Sequence, residues 1–313
     1  MHRIAMKPEV IIAALYHFNQ QPLKDIESLQ SLLLNTGKKE RIQGTLLLAP
    51  EGINGTIAGP ESGIKKLLAT IEDALKIASL TWKKSVHHEN PFYRFKVKVK
   101  KEIVTLGKNS KDVANKTGQY IQPKDWNAVI NDPDTIVIDT RNDYETGIGK
   151  FPQAIDPNTK NFRDFPDYVE KNLQHAKQKK IAMYCTGGIR CEKASNYLIE
   201  QGFEDVCQLH GGILQYLEDM DEKDNLWQGE CFVFDNRVSV NHKMKKGTYD
   251  QCFACRLPIT EEDKKSPMYK AGISCHQCHE KTTTTQKDRF RQRQLQQTLA
   301  KSVGKNHIGP QTQ

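Results

Sequence analysis

The sequence predicts a mixed α/β and α+β chain built from three units, and three observations predict it. Strand-like and helix-like runs alternate twice between residues 10 and 106, the pattern of a small two-layer sandwich. Two short, largely apolar runs, at residues 135–139 and 181–184, have the length and bounding of buried parallel strands. Two C-x-x-C pairs near the carboxyl end, Cys252 with Cys255 and Cys275 with Cys278, stand 19 residues apart. A chain of 313 residues has room for all three, since single domains commonly run to about 100–200 residues.

The first unit is expected over residues 1–107. A strand at 10–18 precedes a helix marked by Leu23, Ile26, Leu29, Leu33 and Leu34, and a strand follows at 44–49. The order then repeats, with a strand at 53–58, a helix marked by Ile64, Leu67, Leu68, Ile71 and Leu75, and a last strand at 94–99. With residues 80–86 as an extra strand, this fits a ferredoxin-like βαββαβ sandwich whose open sheet face is available for binding. On the last strand Phe95, Val97 and Val99 alternate with Arg94, Lys96, Lys98 and Lys100, which places four cations in one row. Such a row suits phosphates, with His87, His88, Phe92 and Tyr93 upstream to add stacking; it also suits a merely solvated face. The glycines of residues 51–59 do not give G-x-G-x-x-G, and a hairpin accounts for them without a nucleotide.

A polar link, residues 108–118, leads to the second unit at 119–226. Its centre is residues 180–194. A strand delivers Cys185 into the loop Thr186, Gly187, Gly188, Ile189 and Arg190, and a helix follows from about 191 to 201. A cysteine between strand end and helix start faces backbone N–H groups and the positive helix end, which favours thiolate; Arg190 adds a fixed charge. The competing reading is a small buried core residue. Cys191, directly after Arg190, is a candidate second thiol or a packing residue, and Cys207 and Cys231 read as core. Asp139 and Arg141 lie just beyond the strand at 135–139, placed to tie loops together. Residues 161–168, an aromatic loop bearing Arg163, suit a pocket wall and a packed connection equally.

The third unit, residues 227–280, carries the four cysteines at the spacing of a closed tetrahedral zinc site, which would be structural because hydrolysis needs an open position. His276 and His279 are adjacent alternative ligands, and a labile redox pair is the competing reading. Residues 281–313 hold little apolar content and are expected to form a mobile or weakly helical basic tail. Net charge runs +8 over residues 1–120, −7 over 121–229 and +7 over 230–313, an acidic unit between two basic ones that suits a polyanion held from both sides. No apolar run approaches the ~18 residues of a membrane span, and residues 1–8 are too short and polar for a secretory signal, so a cytoplasmic location is expected.

Cys185 to Arg190 has the Cys-x4-Arg form of the rhodanese active-site loop, and Asp139-Thr140-Arg141 matches the rhodanese Asp-x-Arg. CTGGIRCEKAS at 185–195, GTLLLAPEGINGTIAG at 44–59, NFRDFPDY at 161–168 and HGGILQYLE at 210–218 together resemble the tRNA uridine(34) hydroxylases that contain a rhodanese domain. The resemblance runs from about residue 10 to about residue 278. It departs from ordinary rhodaneses at 147–155, where GIGKFPQAI offers no histidine. The resemblance implies a tRNA partner, molecular oxygen as cosubstrate, and hydroxylation of C5 of the wobble uridine, with Cys185 as the reactive sulfur, carried as thiolate or persulfide. Two other functions stay open: a sulfurtransferase using the same Cys185, and a non-catalytic RNA-binding protein.

Overall fold

The computed structural model describes residues 9–108 and 112–302. Residues 1–8, expected to begin the first unit and to lack a signal, and residues 303–313 of the expected tail lie outside that range.

The amino-terminal domain runs β1 (Val10–Phe18), α1 (Ile26–Lys39), β2 (Gln43–Ala49), β3 (Gly52–Gly59), α2 (Glu61–Leu75), β4 (Trp82–His87) and β5 (Phe95–Val99). Asp25 starts α1 by accepting the Ser28 amide at 3.1 Å, satisfying one donor the first turn leaves open. The sheet order is β4-β1-β3-β2-β5, with β5 parallel to β2 and every other pairing antiparallel. The ferredoxin-like unit is thus closed by β4, the segment expected to be extra. The segment expected to be the last strand, β5, is the addition, on the edge beside β2. Leu46 and Leu48 of β2, with Ile53 and Ile57 of β3, meet Leu33 of α1 and Leu67 and Ile71 of α2 in one core. Val97 joins that core, but Val99, read as a core residue, is exposed because an edge strand outruns the helices that cover it.

The central domain begins after a link that is less detached than its polarity suggests, because Val113 packs with Phe18, Ala49 and Ile103. It contains β6 (Gln119–Ile121), α3 (Pro123–Asn131), β7 (Thr135–Asp139), α4 (Asp143–Thr146), β8 (Gly149–Lys150), α5 (Phe165–Asn172), β9 (Lys180–Tyr184), α6 (Ile189–Glu200), β10 (Asp205–Leu209) and α7 (Gly212–Asp219). Its sheet, β6-β10-β9-β7, is wholly parallel. The period of two decides where each side chain of β9 goes. Ala182 and Tyr184 join Trp126 of α3 and Leu217 of α7 on one face, whereas Ile181, Met183 and then Cys185 join Val169 of α5 and Leu198 of α6 on the other.

The boundary expected at residue 226 falls inside a core. β11 (Gln228–Gly229) pairs with β8, and Trp227, Cys231, Val233 and Val240 pack with Trp126 and Tyr184, since strand β12 (Cys231–Phe232) and β13 (Ser239–Val240) close an apolar edge of the central domain. The four-cysteine module therefore starts later, with β14 (Asp250–Gln251) paired to β15 (Pro258–Ile259). The expected mobile tail is a 19-residue helix, α8 (Thr284–Ser302), as far as it is described. It is anchored to the module by Arg293, which donates to the carbonyls of Phe253 (2.6 Å) and Gly272 (2.9 Å). Low apolar content does not prevent a helix whose sequence offers good helix formers and a docked guanidinium. Among the described residues no helix is long and apolar enough to cross a membrane.

Candidate active site

Cys185 leaves the end of β9 almost fully buried, and its sulfur accepts the Gly188 amide at 3.1 Å. Gly188 holds φ at +98°, a conformation that disfavours any side chain, and a Cβ there would sit 2.9 Å from the Tyr16 hydroxyl. The loop is pinned from behind as well. α7 begins with Gly212, where a Cβ would lie 2.5 Å from the Cys185 carbonyl, and the amides of Ile213 and Leu214 donate to the carbonyls of Cys185 (3.0 Å) and Thr186 (3.1 Å). Gly211 and Gly212 thus stand against this loop at the start of α7. α6 begins at Ile189, two residues before the position read from the sequence, so its first-turn amides face the sulfur.

Burial pushes the Cys185 thiol up, but the Cys191 thiol, the Arg190 charge and the amides of Cys191 and Arg190 outweigh it and bring it down to about 6. Burial, then the neighbouring Cys185, drive Cys191 well above the ordinary thiol range. Cys191 lies 3.5 Å from the Thr140 hydroxyl, which itself donates to the Tyr184 carbonyl at 3.0 Å. The pair is asymmetric: its surroundings favour the thiolate form on Cys185 and the protonated form on Cys191.

Arg190 closes the loop, though not as a free charge. Its guanidinium makes two 2.7 Å bonds to the two carboxylate oxygens of Glu145, and both groups are buried. Glu145 also accepts the Asn142 amide (3.1 Å) and the Thr186 hydroxyl (3.3 Å). Burial works against its charge, and Arg190 followed by Arg141 outweighs burial, so the carboxyl is held below its usual range. Sequence reasoning missed Glu145; the signal was Asn142-x-x-Glu145, a capping-box spacing directly after the Asp-x-Arg. Asp139 and Arg141 form a buried bidentate pair, and Arg141 continues to the carbonyls of Glu145 (3.2 Å) and Gly149 (2.6 Å), stacked 5.0 Å from the Trp227 ring. These bonds join the end of β7 to residues 145–149.

Two residues of α6 fasten the amino-terminal domain against this loop. Glu192 accepts from Tyr16 (2.8 Å) and Tyr120 (2.9 Å), and the fully buried Lys193 bridges Glu51 (2.8 Å) and Glu102 (2.6 Å). The open face of the amino-terminal sheet consequently becomes the opposite wall of a cleft of about 670 Å³. Tyr16, Leu47 and Asn54 line one side; Cys185, Arg190 and His210 line the other; Phe162 and Arg163 of the aromatic loop close an end, while Phe165 of that loop is core. Of the predicted cation row, Lys100 lines this cleft, Arg94 and Lys96 line a second cavity beside it, and Lys98 is exposed outside both. His87 and His88 line neither, whereas Phe92 lines both.

The four module cysteines bring their sulfurs within 4.8 Å of one another. Three separations, 4.0 Å for Cys252 to Cys278, 3.7 Å for Cys255 to Cys275 and 3.8 Å for Cys275 to Cys278, can be tested against a metal. Zinc–sulfur bonds of about 2.3 Å at a tetrahedral centre place sulfurs about 3.8 Å apart, so these three separations match a zinc ion. His276 instead faces Asp263 at 3.4 Å.

Residues 10–103 match the UPF0176 acylphosphatase-like domain, and residues 122–219 match the rhodanese-like domain. The chain joins those two domains. Among solved structures, a rhodanese-like domain from Anabaena sp. is 20% identical over 36% of this chain and 80% of that chain, with a TM-score of 0.30. A rhodanese-like domain protein from Staphylococcus aureus is 24% identical over 33% and 93%, with a TM-score of 0.27. The BH2092 protein from Bacillus halodurans is 24% identical over 36% and 77%, with a TM-score of 0.28. In the rhodanese-like domain Cys185 occupies the loop that follows β9, and the UPF0176 domain supplies Tyr16 to the edge of that loop.

Proposed function

We propose that the chain is a tRNA-modifying enzyme that hydroxylates C5 of uridine 34, one atom of molecular oxygen entering 5-hydroxyuridine and the other leaving as water with two electrons and two protons from an external reductant, with Cys185 as the reactive sulfur. One observation carries the reading: the thiolate loop opens into a cleft whose far wall is the sheet of a second domain, fastened there by Glu192 and Lys193. A small sulfur acceptor needs no such wall. A nucleotide that must be turned out of its stack and presented to a buried sulfur does. In this arrangement the amides of the loop and Arg190 hold negative charge on Cys185, while Tyr16, Asn54 and Arg163 bound the space for the base and Lys100 faces its phosphate. The zinc ion is structural and would be held by Cys252, Cys255, Cys275 and Cys278.

The second reading, a sulfurtransferase carrying persulfide sulfur on Cys185, is favoured by the loop itself, whose amides converge on one sulfur as a persulfide requires. Mass spectrometry of tRNA nucleosides from a deletion strain separates the two. Loss of 5-hydroxyuridine and its derivatives is expected; loss of a thiolated nucleoside instead would select the sulfurtransferase, and an unchanged profile would remove both.

A further inference from the structure

Beside the cleft lies a second cavity of about 440 Å³ in which three parts of the chain meet: β5 and the segment before it, the turn after β12, and the four-cysteine module with α8. Its walls are of two kinds. Tyr93, Phe234 and Phe253 are 47%, 61% and 41% exposed, which is unusual for aromatic rings drawn together from separate segments. Arg94, Lys96, Arg256 and Arg293 surround them. The one carboxylate on the wall, Asp235, is already engaged by Arg237 through bonds of 2.9 and 2.7 Å. Burial, followed by the charges of Arg94, Lys98 and Arg256, holds the Lys96 ammonium below its usual range, and burial with Arg256 lowers Arg293 as well. The cavity is therefore lined by four cations and accessible rings, with Cys255 of the metal site also on its wall. It is continuous with the cleft of Cys185, because Thr45, Phe92, Phe234 and Asp235 line both.

We propose that this second cavity is a stacking subsite for one unpaired RNA nucleotide, the neighbour of the nucleotide presented to Cys185, with its base on Phe234 or Phe253 and its phosphate among the four cations. Aromatic faces accept any base, and cations beside them take the backbone, the combination by which single-stranded nucleic acid is held. The metal has a part in this. Phe253 lies inside the first C-x-x-C knuckle and Arg256 directly follows it, its amide donating to the Cys252 carbonyl at 2.7 Å, so metal binding would fix one wall of the subsite. The inference rests on the tRNA reading above, and its test separates the two.

The experiment measures affinity of the full-length, metal-loaded protein for a fluorescent anticodon stem-loop RNA containing uridine 34. Phe234→Ala is expected to weaken binding by about fivefold to a hundredfold with little change in salt dependence. Phe234→Trp is expected to keep or improve affinity, and Phe234→Leu to behave as the alanine variant, because stacking rather than apolar bulk is required. Arg256→Gln with Arg293→Gln should flatten the salt slope by about one to two units. Metal content and melting temperature guard against misfolding; Phe234 is so exposed that truncation removes little core. Wild-type affinity in Phe234→Ala, or equal affinity in Phe234→Leu and Phe234→Trp, would overturn the subsite while leaving the tRNA reading intact, and would turn attention to a protein partner. Absence of RNA binding by the wild type would sink both.

Discussion

Two cysteine sites in one chain show opposite uses of the same atom. Around Cys185 a single sulfur is surrounded by donors, the Gly188 amide at 3.1 Å, the Cys191 thiol and the Arg190 charge, and nothing saturates it. Around Cys252 four sulfurs lie within 4.8 Å of one another, and a metal would saturate them all. The first arrangement stabilises a charge that stays available for chemistry; the second spends its charge on a bond that holds a module together. The difference lies in supply. Cys185 directly follows a strand of a parallel sheet with its own large core, so its loop does not depend on it for folding. The module buries little beyond Ile259 and the cysteines themselves.

That contrast can be broken first at Cys185. Cys185→Ser is expected to lower turnover by at least about a thousandfold while leaving the melting temperature nearly unchanged when the two proteins are compared below about pH 6, where the thiolate adds no stability. Should Cys191→Ser lose activity while Cys185→Ser keeps it, the thiolate has been assigned to the wrong sulfur. Glu145→Gln tests what maintains the loop: it leaves the buried Arg190 without its carboxylate and should cost about 3–5 kcal/mol in denaturant unfolding. It should also move the Cys185 thiol further down, since Arg190 is then less neutralised; an unaltered stability would mean the ion pair is incidental.

At the second site, Cys252→Ser should release the metal and render the segment around residues 250–302 sensitive to protease while the two larger domains keep their transition. About one zinc per chain is expected by elemental analysis of wild-type protein purified without chelators, and none would refute the site. The two sites also part with pH. A thiol depressed to about 6 in the native state, against about 8.5 unfolded, contributes stability that is complete above 8.5 and is lost as pH falls through 6. The ultraviolet thiolate signal of wild type minus Cys185→Ser should therefore titrate near 6; a midpoint near 8.5 would deny the depression. The smallest effect is expected on the cation row. Lys96→Ala should reduce the salt slope of tRNA binding by about one unit, and Lys98→Ala, outside both cavities, by less. Equal effects would make the row a diffuse attraction rather than a set of placed contacts.

Much of this was legible in the residues. Alternation along 95–99 identified β5 and its exposed lysines, and C-x-x-C spacing identified the four-cysteine cluster, because strand period and metal geometry are local rules. Which strand closes the amino-terminal sheet was not legible: β4 and β5 are similar short runs, and the choice depends on which edge, that of β1 or of β2, each one meets. Nor was the core role of Trp227, just before β11, and of Val240 in β13, although Cys231 between them was read as core, because their apolar character counts only against the domain they cover.

The chain contains the Asp-x-Arg pattern twice in matching form. Asp139 with Arg141 and Asp235 with Arg237 each place Nε 2.9 Å from Oδ1, and Nη2 at 2.6 and 2.7 Å from Oδ2. Sequence by itself determined both pairs, since two residues of spacing let the guanidinium fold back onto the carboxylate. Tertiary structure alone decided what each does with its remaining donor. Arg141 Nη1 reaches the Glu145 carbonyl behind the Cys185 loop, whereas Arg237 Nη1 crosses to the Ser85 hydroxyl (3.0 Å) and seals the wall between the domains. The same division governs Cys185. Its place between strand and helix is written in residues 180–194, but Tyr16 beside its loop and Glu145, which holds Thr186 and Arg190 of that loop, arrive from 169 and 40 residues away, and only packing brings them there.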